Sequence, residues 1–422
     1  MACLHKEFSP LNEWDAVGIV VLFMGGILAG ASGIGGGGLN VPLMLLIMNF
    51  LFEEAIPLSH IMVLGNAVAQ NLVNGFRRHP LAPHRPMIDF DVPLLLLPMQ
   101  LGGNALGVLL FPVFPSGLLL TLAVVILTVA AVKTIHRGIK DFKQELKASR
   151  CTPLLEEGSD GELGVPSPTP LLTAPEGKGL ASEAEGKRAP EKLKIEPLSA
   201  EEQRKQTKSN CLKVLALIGF WIFFVIEFFG SKGHSNCSAT FIAWQVALFV
   251  FALLTIAPGA YLARASAASR QTLPGDIDWS KTPQLLLAVV AALFIGLVSG
   301  LLGLGGGELM APLLLALGML PQCGSATSGF MIVFTSASNL VHYLSEGDVL
   351  KPMEGYVVLF AFLGFTSAFT GRMASMFCVR KLHHPSLIVF SLGALLVIAT
   401  LLLIVRSIKT PPGWAFSDLC DD

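Results

Sequence analysis

Two stretches of this chain combine residue types and spacing that could do chemistry. Gly30 to Pro42 reads GASGIGGGGLNVP and Gly300 to Pro312 reads GLLGLGGGELMAP. Gly30, Gly33, Gly35, Gly36, Gly37 and Pro42 recur as Gly300, Gly303, Gly305, Gly306, Gly307 and Pro312, all at one offset. Successive glycines let the main chain leave helical geometry and let a ligand approach backbone N–H groups. In an apolar chain, such a break is tolerated only where protein surrounds it or where it lines a wet cavity. A helix restarting near Leu39 or Glu308 would point unpaired N–H groups, and the positive end of its dipole, toward that cavity. That arrangement suits a small anion. A nucleotide-phosphate loop does not fit, since no strand precedes the glycines and neither stretch ends in Gly-Lys-Ser/Thr. Close helix packing accounts for Gly26-xxx-Gly30 and Gly296-xxx-Gly300, but the glycines that follow are denser than packing asks.

The candidate binding groups are therefore Gly35, Gly36, Gly37, Gly38 and Asn40 in the first copy, and Gly305, Gly306 and Gly307 in the second. Polar side chains follow each copy. Asn66, Gln70 and Asn74 share one helix face, and Thr327, Ser328, Thr335, Ser336 and Asn339 are their counterpart, with Thr335 and Asn339 one turn apart. Amides and hydroxyls can donate to an oxyanion without a permanent charge that would hold it too tightly. Interhelical hydrogen bonding is their other use. Glu308 is the sharpest single residue, because an acid at membrane depth must face a cavity, pair, or bind a proton. It could couple proton movement to anion movement, recruit a cation, or cap the helix it begins. Arg77, Arg78 and His79 stand at a helix end, where they anchor topology or concentrate anions, with Asp89 and Asp91 placed to pair with them. Glu227, inside WIFFVIEFFG, is expected to snorkel outward.

The elements that must position these groups are membrane helices. The chain has 422 residues, 53% of them hydrophobic and only 14% charged, with mean hydropathy +0.65. Apolar runs approaching the ~20 residues that span a bilayer recur along both ends and the middle. The near-zero net charge, formally -1, leaves no basic face for a nucleic acid. Seven cysteines show no CxxC or other metal-ligand spacing, so neither a zinc site, a disulfide framework nor any cofactor is indicated.

The glycine repeat divides the chain into a first transmembrane repeat within 1–133 and a second over 284–405, with two unmatched helices in 210–263 and a short tail, 406–422. Between the first repeat and those helices lies 134–209, rich in Pro, Ser, Gly and Glu, which reads as a mobile cytoplasmic loop with helical ends. Basic residues Arg77, Arg78 and Arg85, then Lys133, Arg137 and Lys140, mark the cytoplasmic side in the first repeat. In the second, the basic turn holds Arg372, Arg380 and Lys381. An odd number of crossings per repeat then inverts the halves and gives twelve in all. The runs 39–52 and 308–320 are too short to cross comfortably, ~20 Å of helix, and read as half-helices or re-entrant pieces. The fold class is an all-α polytopic membrane protein of two inverted repeats with glycine-broken or re-entrant half-helices, the ordinary build of secondary transporters.

These motifs, with SHIMVLGNAVAQNLVNGFRRHP in the first half and PQCGSATSGFMIVFTSASNLVHYLSEG in the second, resemble the TauE/SafE sulfite exporter family in its eukaryotic branch. The resemblance covers nearly the whole chain apart from the 134–209 loop. It implies a carrier of small sulfur-containing anions such as sulfite, sulfonates or related organosulfur compounds; a proton or another coupling ion is an expectation that rests on Glu308. In that family an apolar residue takes the place of Glu308, so the acid is a departure. A receptor or scaffold using the 134–209 loop is the rival function. An intramembrane enzyme is weaker still, because there is no HExxH, no paired intramembrane aspartates and no Ser/His arrangement, His60 and His342 lying near expected interfaces.

Overall fold

The computed structural model describes residues 12–111, 113–151, 200–232, 238–268, 273, 275–302, 306–346, 353–382, 386–409, 413–414 and 416. Along them run helices α1 (Glu13–Ser32), α2 (Gly37–Leu46), α3 (Phe52–Gly75), α4 (Asp91–Leu110), α5 (Ser116–Cys151) and α6 (Ala200–Ser231). After these come α7 (Ala239–Ala268), α8 (Thr282–Leu302), α9 (Gly307–Ala316), α10 (Pro321–Glu346), α11 (Glu354–Leu382) and α12 (Ser386–Lys409). Among the described residues the one β feature is an isolated bridge between Arg78 and Pro86.

Nine helices in this set, α1, α3 to α8, α11 and α12, are long and apolar enough to cross a membrane. The chain is a multi-pass integral membrane protein. Twelve crossings would also count α2 and α9, of ten residues each, and α10, whose Ser, Thr and Asn residues dilute its apolar character. Ten residues make only ~15 Å of helix. Both short helices stop at left-handed residues, Asn49 with φ 54 and Gly318 with φ 100, which turn the chain before the apolar run ends. Outer helices keep large apolar side chains exposed, as lipid solvent allows: Leu254 of α7 is 66% and Phe362 of α11 is 68% accessible.

Glycines set the closest helix approaches. A Cβ on Gly30 of α1 would lie 2.6 Å from the Ala368 backbone of α11, and one on Gly300 of α8 would lie 2.3 Å from the Asn104 carbonyl of α4. Gly26 meets Ser367 and Gly296 meets the Gln100 carbonyl in the same two pairs. The two small-xxx-small patterns are thus helix seams, each joining the first helix of one half to the fourth of the other.

Several sequence expectations change here. Arg372 does not lie in a turn; α11 continues to Leu382 and carries Arg372 into the interior, where it is fully buried. Asp91 has a partner that the spacing did not indicate. Its Oδ1 takes the Lys213 ammonium of α6, which also donates to Ser266 Oγ of α7 at 3.1 Å, so one buried cation pins both unmatched helices to α4. Glu227 does not snorkel, being 2% accessible. His60 is buried as well, because Asn339 of α10 hydrogen-bonds its ring. The expected loop at 134–209 begins inside α5 and ends inside α6; its centre, 152–199, lies outside the described residues.

Candidate functional site

The two glycine stretches break the helix in the same way. Gly36 precedes α2 with φ 77, and Gly306 precedes α9 with φ 70. These left-handed conformations cost a residue with a Cβ roughly 1–2 kcal/mol, so glycine is needed at both. Space requires it too at Gly306: a Cβ there would lie 2.6 Å from Gln100 Nε2 of α4, 3.3 Å from Ser299 Oγ of α8 and 3.6 Å from Thr335 Oγ1 of α10. Three polar side chains from three helices therefore converge on one bare backbone corner.

The starts of α2 and α9 meet each other. A Cβ on Gly307 would lie 3.8 Å from the Gly35 nitrogen. The Gly38 amide donates to Glu308 Oε1 at 2.5 Å, a bond between residues 270 apart and therefore between counterpart positions of the two copies. Glu308 is fully buried, and its Oε2 has no hydrogen-bond partner among the described residues. The amide that sequence spacing offers to an external anion is thus met by an internal carboxyl group. Pro42 and Pro312 lack the N–H that would bond the carbonyls of Gly38 and Glu308, which loosens the same first turns.

Around this junction the candidate residues separate into groups. Asn40 is buried beside it with Nδ2 unpartnered. Gln70 of α3 donates to Asn66 Oδ1, and its Oε1 would sit 3.0 Å from a Cβ on Gly329, without a partner of its own. Ser328 Oγ donates to the Gly33 carbonyl at 3.3 Å, which ties α10 to the first glycine stretch. Thr335 donates to its own helix at Ile332, and Ser336 Oγ is buried unpartnered. Asn339 stands further off in a relay, accepting from Asn104 Nδ2 at 2.5 Å and contacting His60. Asn74 accepts from Arg372. Thr327 is engaged elsewhere, its hydroxyl accepting from the Asp89 amide at 3.1 Å. Gly305 lies outside the described residues.

Residues the spacing argument passed over include Ser299, Ser325, Asn104 and Arg372. Ser299 and Asn104 each sit one or two residues from a seam glycine, a signal that reads as packing. Among the described residues no cluster of three His, Cys, Asp or Glu side chains could hold a metal. The groups around the two helix starts are buried, directional hydrogen-bonding groups that carry little formal charge.

At one end of the bundle a cleft of about 340 Å³ lies between the 79–91 segment, α6 and the chain from 273 to 279, and reaches Met319 and Cys323 at the start of α10. His79 lines it, and burial is the main cause that holds its pKa down to about 4, against the neighbouring Asp276. Asp276 pairs with Arg85 at 2.9 Å across the same cleft.

Comparison with known proteins agrees with this architecture. A family model described as Sulfite exporter TauE/SafE matches residues 287–417. The chain is similar to Sulfite exporter TauE/SafE family protein 3 of Arabidopsis thaliana, 29% identical over 423 residues, covering 97% of this chain and 83% of that protein. It is also similar to family protein 1 of the same plant, 28% identical over 401 residues with 92% and 82% coverage. Family protein 5 is 29% identical over 398 residues, with 91% and 81% coverage. No solved structure matches.

Proposed function

We propose, for a chain that belongs to the TauE/SafE sulfite exporter family, that it is a secondary carrier of a small oxyanion of the sulfite or sulfonate class. It works by alternating access around the α2–α9 junction. The observation that carries this reading is the hydrogen bond from the Gly38 amide to Glu308, which sets a carboxyl oxygen at a helix start suited to an oxyanion.

Two inverted repeats, α1 to α5 and α8 to α12, would place the two half-helix starts face to face near the bilayer midplane. Support comes from the exchanged seams, α1 on α11 and α8 on α4, and from the left-handed glycines Gly36 and Gly306 at equivalent places. Glu308 acts as a tethered anion. An ionised carboxylate and an incoming oxyanion cannot share the Gly38 amide, since like charges so close repel. Protonation removes that conflict: the neutral Glu308 releases the amide, and the anion takes it with help from Asn40, Gln100 and Thr335. Anion and proton then cross together, and the empty carrier returns with Glu308 back on Gly38.

The reading is tested with the purified chain alone in liposomes, offered sulfite, sulfate, thiosulfate and sulfoacetate. Uptake of at least one, saturable and well above that of protein-free liposomes, is the expected result. Uptake of none would overturn it.

A further inference from the structure

α11 buries a positive charge that no carboxylate among the described residues pairs with. Arg372 is fully inaccessible, and a guanidinium does not shed its proton in a protein. Its Nε donates to Asn74 Oδ1 at 2.9 Å and its Nη1 to Ser325 Oγ at 3.1 Å, both neutral acceptors. Its Nη2 has no partner, and neither does Asn74 Nδ2 beside it. Among the described residues no ion pair includes Arg372. The unspent valences of this cluster are therefore donors only, around an uncompensated cation.

Burying a charge without a counter-ion is costly, and cost of this kind points to a ligand that supplies the missing charge. Of the acids nearby, Asp276 pairs with Arg85 at 2.9 Å. The cleft described above ends at Cys323, two residues before Ser325 on α10. On its other side the cluster touches the first glycine stretch, since a Cβ on Gly33 would lie 1.7 Å from Ser325 Oγ. Arg372 thus lies near the inner end of a surface cleft and near the first glycine stretch.

We propose that Arg372, with Asn74 and Ser325, binds the transported oxyanion as a second stop on its path between the cleft and the junction. This rests on the carrier reading and adds a site to it. The planar guanidinium and the adjacent amide suit an anion with two or three oxygens on one centre, which accepts from both at once.

The test compares wild type with Asn74→Asp, Arg372→Lys and Arg372→Gln, using sulfite and sulfate as probes. Two quantities are read: stabilisation of the detergent-solubilised protein by each anion, and the KM of flux in liposomes. Asn74→Asp hands Arg372 an internal counter-ion in nearly the same shape, so the variant should melt no lower than wild type in anion-free buffer. Its anion affinity should nonetheless fall, and its KM rise, by about tenfold or more, the scale of one charged hydrogen bond. Arg372→Lys should keep an intermediate KM, and Arg372→Gln should lose the most. If Asn74→Asp transports with wild-type KM and wild-type anion stabilisation, Arg372 only ties helices together and this site is overturned while the carrier reading stands. A wild-type chain that neither transports nor is stabilised by either anion overturns both.

Discussion

Exchanging Glu308 for glutamine should yield a carrier that still moves its anion but no longer responds to a pH gradient. Glutamine keeps the shape of Glu308, whose Oε1 accepts from the Gly38 amide at 2.5 Å, and, neutral like the protonated acid, it yields that amide to the anion. What disappears is the charge and the site for a proton. In the wild type, one proton per anion converts a one-unit pH difference into about a tenfold concentration ratio, with the anion gathering on the alkaline side. In Glu308→Gln the ratio should fall to about one, because the anion no longer waits for a carboxylate to be neutralised. Flux down the anion's own gradient should persist. The measurement is sulfite accumulation in liposomes with an imposed pH step; accumulation in Glu308→Gln equal to that of wild type would remove Glu308 from the coupling.

The largest effect on stability is expected at Lys213. Its ammonium and the Asp91 carboxylate are 3% and 5% accessible, and Lys213 also reaches Ser266. Removing the cation alone, as in Lys213→Ala, takes the ammonium from a buried carboxylate and unfastens α6 and α7 together. Loss of one partner of a buried pair costs about 3–5 kcal/mol. The pair itself contributes far less, because both ions had to leave water. The double variant Lys213→Met/Asp91→Leu should therefore recover most of the loss, to within about 1–2 kcal/mol of wild type. Thermal unfolding in detergent decides it. If the double variant is as unstable as Lys213→Ala, the pair stabilises the fold by more than geometry implies.

What could be read from the chain beforehand follows from the range of each signal. The half-helices were readable because their cause is local: glycines at 35 to 38 force the break, and a second copy at fixed offset marks it as architecture. The seams at Gly26, Gly30, Gly296 and Gly300 were readable for the same reason. Partners were not. Nothing near Glu308 announces that its oxygen meets Gly38, or that Lys213 meets Asp91 across 122 residues. Arg372 shows a different failure. Standing near Arg380 and Lys381, it resembles the basic end of a membrane helix, and only the continuation of α11 to Leu382 carries it into the interior. Thr327 fails in the opposite sense, since a serine- and threonine-rich face looks uniform while one hydroxyl is claimed by the Asp89 amide. The inverted relation proposed for the halves is drawn from the repeat pattern and the exchanged seams.

Central to this account is a carboxylate that holds the anion's place and must take up a proton to yield it. Proton uptake on anion binding measures that directly: sulfite is added to weakly buffered, detergent-solubilised protein near neutral pH, and protons bound are counted against anions bound, with buffer-only additions subtracted. The account predicts close to one proton per anion in wild type and none in Glu308→Gln. Saturable sulfite binding to wild type with no proton uptake would contradict it.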